Sequence, residues 1–292
     1  MVFEKLRERA AFATGNFGKL FAHIEIPPLP QVAVRLLSLV RQEDVDFSRV
    51  AKVIASDAGI SARVLRTVNS AFFGVARQVT DIQHAVSLLG QRRIYSLALA
   101  YAAIDTLGPP AEGEEAAQFW CDSIQRAVFA QTLASRVSPG EEGEAFTGGL
   151  LQDLAQPILL NQWRSHYLPV LEEARHSDRD LASLEEERFS WNHAQGGAWI
   201  ARNWQFQDLL VCCIGLHNAI PRELEKMSLA GTSVIAVAVS SRLPDAASFC
   251  HHQLEIDSKT YRGLCEVTDA AVEELAELLN IPPPEPLAPS QG

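Results

Sequence analysis

Between Asp46 and Gly90 the chain lays down three short amphipathic helical patterns in succession, and no other stretch constrains the fold as tightly. In the first, Phe47, Val50, Ala51 and Ile54 recur at i, i+3, i+4 and i+7, which is one helix face. In the third, Ile82, Ala85, Val86 and Leu89 repeat that spacing. Thr80-x-x-Gln83 reads there as a capping box and Gly90 as the stop. None of these residues is an obvious nucleophile, acid or metal ligand, so the segment reads as one built to present a surface.

The rest of the chain continues in the same period. Ile94, Leu97, Ala98 and Tyr101 form another helical stripe, and Gly108-Pro-Pro-Ala-Glu-Gly-Glu-Glu breaks the pattern as a linker. Helical patterns resume over about 117–137, 143–161, 165–175, 179–187, 193–204 and 207–218. Pro221 interrupts; an apolar helix follows near 228–243 and an amphipathic one over 267–280. Strand signals are scarce, so the expected class is all-α. Residues 1–21 form an amphipathic segment, 221–281 a set of C-terminal helices, and 282–292 a proline-rich tail expected to be disordered.

Composition sets the outer limits. A chain of 292 residues, 47% of them hydrophobic, can build one large core or two small ones. No run of about 18 apolar residues suggests a membrane span, and the N-terminus lacks the pattern of a secretory signal. Five cysteines, an odd count without CxxC spacing, fit buried thiols in a reducing cytoplasm. Cys250-His251-His252 lacks a second ligand pair at finger-like spacing, and no metal is expected there. The net charge of −11 is uneven: residues 1–104 hold 13 Lys and Arg against 8 Asp and Glu, a net of +5, and the remainder carries −16. Such a gradient can steer a partner or reflect no more than differing solvated faces.

The run VAKVIASDAGISARVLRTVN also has the outline of a DNA-binding helix-turn-helix, with Gly59 in the turn and Arg63 and Arg66 on the second helix. Against DNA, that helix carries Val64, Leu65 and Val68 where base-reading side chains are needed, and Asp44, Asp46 and Asp57 lie close by.

Several spaced motifs, agreeing in order, resemble the HDOD domain of bacterial signalling proteins. They are Ile26-Pro27-Pro28-Leu29-Pro30, Ser56-Asp57 with Leu65, Asn69-Ser70-Ala71-Phe72-Phe73-Gly74, Ala85-Val86-x-Leu88-Leu89-Gly90, Phe119-Trp120, Gly148-Gly149-Leu150-Leu151-Gln152-Asp153 and His193-x-x-Gly196. The resemblance covers residues 22–220. It implies an N-terminal helical subdomain (22–107) packed on a subdomain like that of HD phosphohydrolases (117–220). In that superfamily, histidines and aspartates hold a divalent cation that activates water. Carried over position by position, Asp122 stands where the first His is expected. The His-Asp pair has become Gln152-Asp153, Gln156 replaces a frequent Lys, His193 and His217 remain, and Ser241, beside Arg242, replaces the last Asp.

A neutral amide is a poor substitute for an imidazole ligand, so the expectation is a pocket that is structural or binds a ligand without turning it over, with no resident metal. If Asp122 and Asp153 converge, one of them should have its pKa raised by the other, unless a hard cation such as Mg²⁺ or Mn²⁺ lies between them. Asn69, Ser70, Gly74 and Gly90 belong to the family signature; Asn69 is expected to cap or turn the chain.

The resemblance therefore implies a cytoplasmic output or adaptor protein acting through contacts with signalling proteins, in pathways that also use cyclic dinucleotides. The candidate partner surface is Arg92 and Arg93. A degenerate metal-dependent phosphohydrolase and a DNA-binding regulator are the alternatives.

Overall fold

A computed structural model describes residues 24–40, 47–70, 73–108, 114–279 and 283–287. The amphipathic segment 1–21, most of the 108–115 linker, and Ala71 and Phe72 of the signature lie outside the described residues. So do Asp44 and Asp46, and the tail apart from 283–287.

The described residues form helices without strands. The N-terminal lobe comprises α1 (Gln31–Val40), α2 (Phe47–Ala55), α3 (Ala58–Val68), α4 (Ile82–Leu89) and α5 (Gln91–Leu107). The C-terminal lobe comprises α6 (Glu114–Val137), α7 (Glu142–Leu151), α8 (Ala155–Gln162), α9 (Arg164–Arg175), α10 (Leu181–Phe189), α11 (His193–Asn203), α12 (Asp208–Gly215), α13 (Pro221–Lys226) and α14 (Ser233–Ser240). Two further helices, α15 (Ala247–Leu254) and α16 (Ser258–Leu279), complete the chain. The sequence pattern missed α15 and started α16 nine residues late. No helix of the described residues is long and apolar enough to cross a membrane.

The short helices of the N-terminal lobe are terminated by side chains. Asp57 accepts a hydrogen bond from the Ile60 N–H at the start of α3, and Asp81 accepts one from His84 at the start of α4. Each satisfies a backbone donor that a helix start leaves orphaned. The cap of α4 is thus Asp81 and not the Thr80 box read from sequence, because Asp81 has the extended φ and ψ that a cap needs. Gly90 ends α4 at φ 85, a conformation that favours glycine. Apolar faces meet at α5, which packs against each of the other four helices and, on its far side, against α7. Eleven of its 17 residues are buried, which is why its sequence is apolar nearly all round.

Two devices join the lobes. The extended Ile24–Pro30 strap lies over the C-terminal lobe: Gln162 exchanges two hydrogen bonds with the Glu25 backbone, at 2.8 and 2.7 Å, and the Trp204 indole N–H donates to the Pro27 carbonyl at 2.9 Å. At the α5–α7 junction, Arg92 pairs with Glu144 and Arg93 with Glu142.

Within the C-terminal lobe, α7 sits close to α6 and α12 because of Gly148 and Gly149. A Cβ on Gly149 would lie 2.9 Å from the Ala127 Cα, and one on Gly148 would lie 2.7 Å from the Cys213 Cβ. These approaches aim the end of α7, where Gln152 and Asp153 break the helix, into the middle of the lobe. The sequence pattern ran one helix across 143–161; the structure splits it at that turn.

A buried charge cluster at the break of α7

Asp153 occupies the turn between α7 and α8. His193 is the first residue of α11, held in place by the Asn192–Gln195 capping box. His217 follows α12. All three are buried, and one ligand atom from each lies within 4.8 Å of the others; among the described residues this is the one such His/Cys/Asp/Glu group. His193 Nε2 is 3.2 Å from Asp153 Oδ1 and 3.1 Å from His217 Nε2, and His217 Nε2 is 3.6 Å from the same oxygen.

The surroundings decide the tautomers. His217 Nδ1–H donates to the Ile214 carbonyl at 2.7 Å, which leaves a lone pair on Nε2 facing His193. His193 Nδ1–H donates to Glu185 Oε2 at 2.6 Å, and its backbone N–H donates to the same oxygen at 2.8 Å. The other Glu185 oxygen accepts the Tyr167 hydroxyl at 2.7 Å. With both its neighbours anionic, His193 takes a second proton, and its Nε2–H lies between Asp153 and His217. Burial alone would lower its pKa, but Glu185 and Asp153 raise it to about 10. His217 is driven the other way: burial and the neighbouring His193 charge lower it to about 4 against the pull of Asp153.

Burial would likewise push the Asp153 carboxyl up. The Arg126 guanidinium, donating to Oδ2 from α6, and the His193 hydrogen bond overcome it and hold the group well below the usual carboxylate range. Gln156 donates to Oδ1 at 3.1 Å. The result is an alternating cluster, Arg126, Asp153, His193 and Glu185, whose charges cancel.

The residues singled out from sequence separate accordingly. Asp153, His193 and His217 converge, whereas Asp122, half-buried one turn before Arg126 on α6, stands outside the 4.8 Å group. The convergence on which a raised carboxyl was expected does not occur, and the Asp153 pKa is lowered, with Arg126 overcoming the effect of burial. Gln152 is buried with its Oε1 unpartnered and its amide 3.4 Å from Asp153. Ser241, in place of the last Asp, donates to the His217 carbonyl at 2.7 Å, and Arg242 binds the Asn218 and Ala219 carbonyls at 3.3 and 3.0 Å. Both residues hold the loop that carries His217.

Sequence reasoning missed Arg126, Glu185 and Tyr167. The signal for Arg126 was its position four residues after Asp122, on the same helix face; Glu185 sits in an acidic run whose exposed members resemble it.

In the N-terminal lobe, Asn69 has a backbone role. Its amide donates to the Leu65 and Val79 carbonyls, both at 2.8 Å, and its oxygen accepts the Val79 N–H at 2.7 Å. Ser70 is buried beside it and Gly74 turns at φ 60. Arg63, the would-be DNA contact, pairs with Asp105 and lies over the Tyr101 ring. All five cysteines are free and buried, including Cys250 of the Cys-His-His run.

Residues 26–220, two-thirds of the chain, match the HDOD domain. The chain belongs to the HDOD family. It is 24% identical over 205 residues to an uncharacterized protein of Treponema pallidum, a match covering 69% of this chain and 39% of that one. It is 29% identical over 111 residues to the cyclic di-GMP phosphodiesterase CdgJ of Vibrio cholerae, covering 38% of this chain and 24% of CdgJ. The matched regions thus span well under half of either relative. Among solved structures, a Shewanella amazonensis protein described as a candidate phosphohydrolase superposes with a TM-score of 0.63 at 26% identity, covering 94% and 93% of the two chains. An HDOD domain protein of unknown function from Geobacter sulfurreducens superposes with a TM-score of 0.65 at 19% identity, covering 94% and 95%.

Proposed function

We propose that this chain is a non-catalytic output or adaptor module of signal transduction, working through protein–protein contacts. The observation that carries the reading is the Arg126 guanidinium on Asp153, next to Gln152 where the superfamily pattern has a histidine. A hydrolytic site of this class needs a cation with an open coordination position for water. Here the positive charge comes from Arg126 and from a protonated His193. The remaining acceptor sites of Asp153 and Glu185 are taken by protein donors. The cluster acts as an internal clasp between α6, α7, α10 and α11, and leaves recognition to the outer surface of the HDOD helices.

The family and the partial likeness to a cyclic di-GMP phosphodiesterase support placing the module in cyclic-dinucleotide signalling, beside enzymes that make or degrade the nucleotide. DNA binding has less support, because Arg63 is already paired with Asp105.

One observation favours a second reading, a residual metal-dependent phosphohydrolase. The three donor atoms are spaced at 3.1, 3.2 and 3.6 Å. Ligands about 2.1 Å from a common ion stand roughly 3.0–3.4 Å apart; the two separations from His193 match a divalent cation and the one between His217 and Asp153 is slightly long. The charge does not fit: His193 must first lose its proton, and Arg126 competes for the carboxylate.

The deciding experiment measures metal content and turnover of cyclic di-GMP and bis(p-nitrophenyl) phosphate with added Mn²⁺ or Mg²⁺. The expected result is substoichiometric metal and no turnover above buffer. Stoichiometric metal with turnover lost in Asp153→Ala would overturn the adaptor reading.

A further inference from the structure

The proline-rich tail, expected to be disordered, is docked over residues 283–287. Its backbone is read by two side chains from different helices: the Gln125 amide on α6 donates to the Glu285 carbonyl at 2.8 Å, and the Asp269 carboxylate on α16 accepts the Leu287 N–H at 2.9 Å. Leu287 packs half-buried against the core. Beside it lies a cavity of about 210 Å³ whose walls include Ile256, Tyr261 and Cys265, with His251 and Arg262 also on its lining.

We propose that this groove, between α6, α15 and α16, is a docking site for an extended, proline-flanked leucine segment of a partner protein, and that residues 283–287 occupy it as an intramolecular competitor. The inference rests on the adaptor reading and names where and how such a partner binds.

The chemistry of the segment and of the groove correspond. Proline fixes an extended backbone and has no N–H, so a proline-rich segment offers mainly carbonyls and the N–H of its few other residues. Gln125 and Asp269 engage one of each, two residues apart. Backbone recognition of this kind tolerates any side chain at position 285 and leaves selection to the leucine. The Tyr261 ring supplies the aromatic wall on which polyproline segments pack, and His251 and Arg262 suit an acidic residue in the ligand. The intramolecular segment holds by few contacts, as Leu287 is only half-buried and the cavity beside it stays open. A partner that fills the cavity gains burial that residues 283–287 forgo.

The test titrates a labelled peptide of sequence Ile-Pro-Pro-Pro-Glu-Pro-Leu against the full chain by fluorescence anisotropy. A tethered competitor acts at an effective concentration on the order of millimolar. Weakening it with Leu287→Ala should therefore tighten peptide binding about tenfold over the unsubstituted chain. Adding Asp269→Ala or Gln125→Ala should abolish that gain, and using both guards against one variant misfolding.

Equal affinity of the Leu287→Ala and unsubstituted chains, with unchanged melting temperatures, overturns the proposal. So does a Leu287 amide that exchanges with solvent at the rate of an unstructured peptide. A stoichiometric partner captured equally well by the Leu287→Ala and Gln125→Ala chains overturns the groove alone and leaves the adaptor reading standing. Phosphodiester turnover overturns the adaptor reading, whatever the peptide titration gives.

Discussion

The two lobes use polar residues in opposite ways. In the N-terminal lobe the polar residues serve the backbone: Asp57 and Asp81 cap helices, and the signature residue Asn69 bridges Leu65 to Val79. The ion pair between Arg63 and Asp105 lies toward the surface. In the C-terminal lobe the signature residues Asp153 and His193 are buried and balance their charges with Glu185 and Arg126. A backbone-serving residue contributes a fixed few hydrogen bonds. A buried charge contributes only while every partner is present, so the C-terminal lobe should be the more fragile to single substitutions and the more sensitive to pH.

The largest expected effect is therefore Asp153→Ala. It removes the acceptor shared by Arg126, His193 and Gln156 and leaves Glu185 as the only anion of the cluster. Breaking a buried pair in this way costs about 3–5 kcal/mol. Urea denaturation should show a loss of that size, and Asp153→Asn, which keeps Oδ1 as an acceptor, should lose less. Equal stability of the alanine variant and the unsubstituted chain would mean that the cluster does not hold the lobe together.

The corresponding test in the N-terminal lobe is Asn69→Ala. Three hydrogen bonds are lost, and the Val79 N–H and C=O lose their side-chain partner. A buried group left unsatisfied costs about 1–3 kcal/mol, so a loss of about 2 kcal/mol is expected at any pH between 5 and 9. A loss as large as that of Asp153→Ala would erase the contrast between the lobes.

How much of this was legible follows the same division. Caps, turns and apolar faces are local, so the all-α class, the helices between residues 46 and 104 and the role of Asn69 could be read from spacing. Asp153, His193 and His217 were legible through the family pattern alone, because they lie on three separate segments that only folding brings together. Arg126 and Glu185 were not legible. Glu185 is one of three consecutive glutamates and differs from the others by its burial, whereas Arg126 meets Asp153, on a different segment, only in the fold. The docked residues 283–287 escaped for a related reason, since proline-rich composition argues for disorder unless a groove elsewhere in the chain is known.

The lobes should differ as well in their response to pH. The folded chain keeps His217 neutral down to about pH 4, whereas an unfolded chain takes up that proton near 6.5. The unfolded state binds more protons between those values, and stability falls as pH drops through that window. His193 acts in the opposite sense. Raised to about 10 when folded, it contributes in full below about 6.5 and its contribution is lost as pH rises to about 10. The urea midpoint should therefore peak near pH 6.5. His217→Gln should flatten the acid side between pH 4.5 and 6.5 while leaving the alkaline side in place. The Asn69→Ala chain should keep both slopes, since that residue carries no titrating group.

The smallest effect is expected where the lobes meet. Arg92 and Arg93 were singled out as a partner surface, and the structure pairs them with Glu144 at 3.7 Å and Glu142 at 3.5 Å. The arginine side chains remain 71% and 38% exposed while Glu144 and Glu142 are 8% and 14% exposed; solvent around the arginines screens each pair, which keeps its contribution at roughly 0–1 kcal/mol. The strap and the close packing of α5 on α7 also hold the lobes together, so Arg92→Ala with Arg93→Ala should lower stability by about 1 kcal/mol, with a ceiling of about 2 kcal/mol for the two pairs together. The loss should come with a steeper dependence on salt in the unsubstituted chain than in the variant. These two arginines thus have a task inside the chain. Reduced capture of a partner by the double variant counts toward a binding surface only if the melting curve is unchanged, because a shifted junction would move the neighbouring helices as well. A loss of several kcal/mol would instead make the junction a third region of cooperating charges, and the division between the two lobes would have to be drawn through α5.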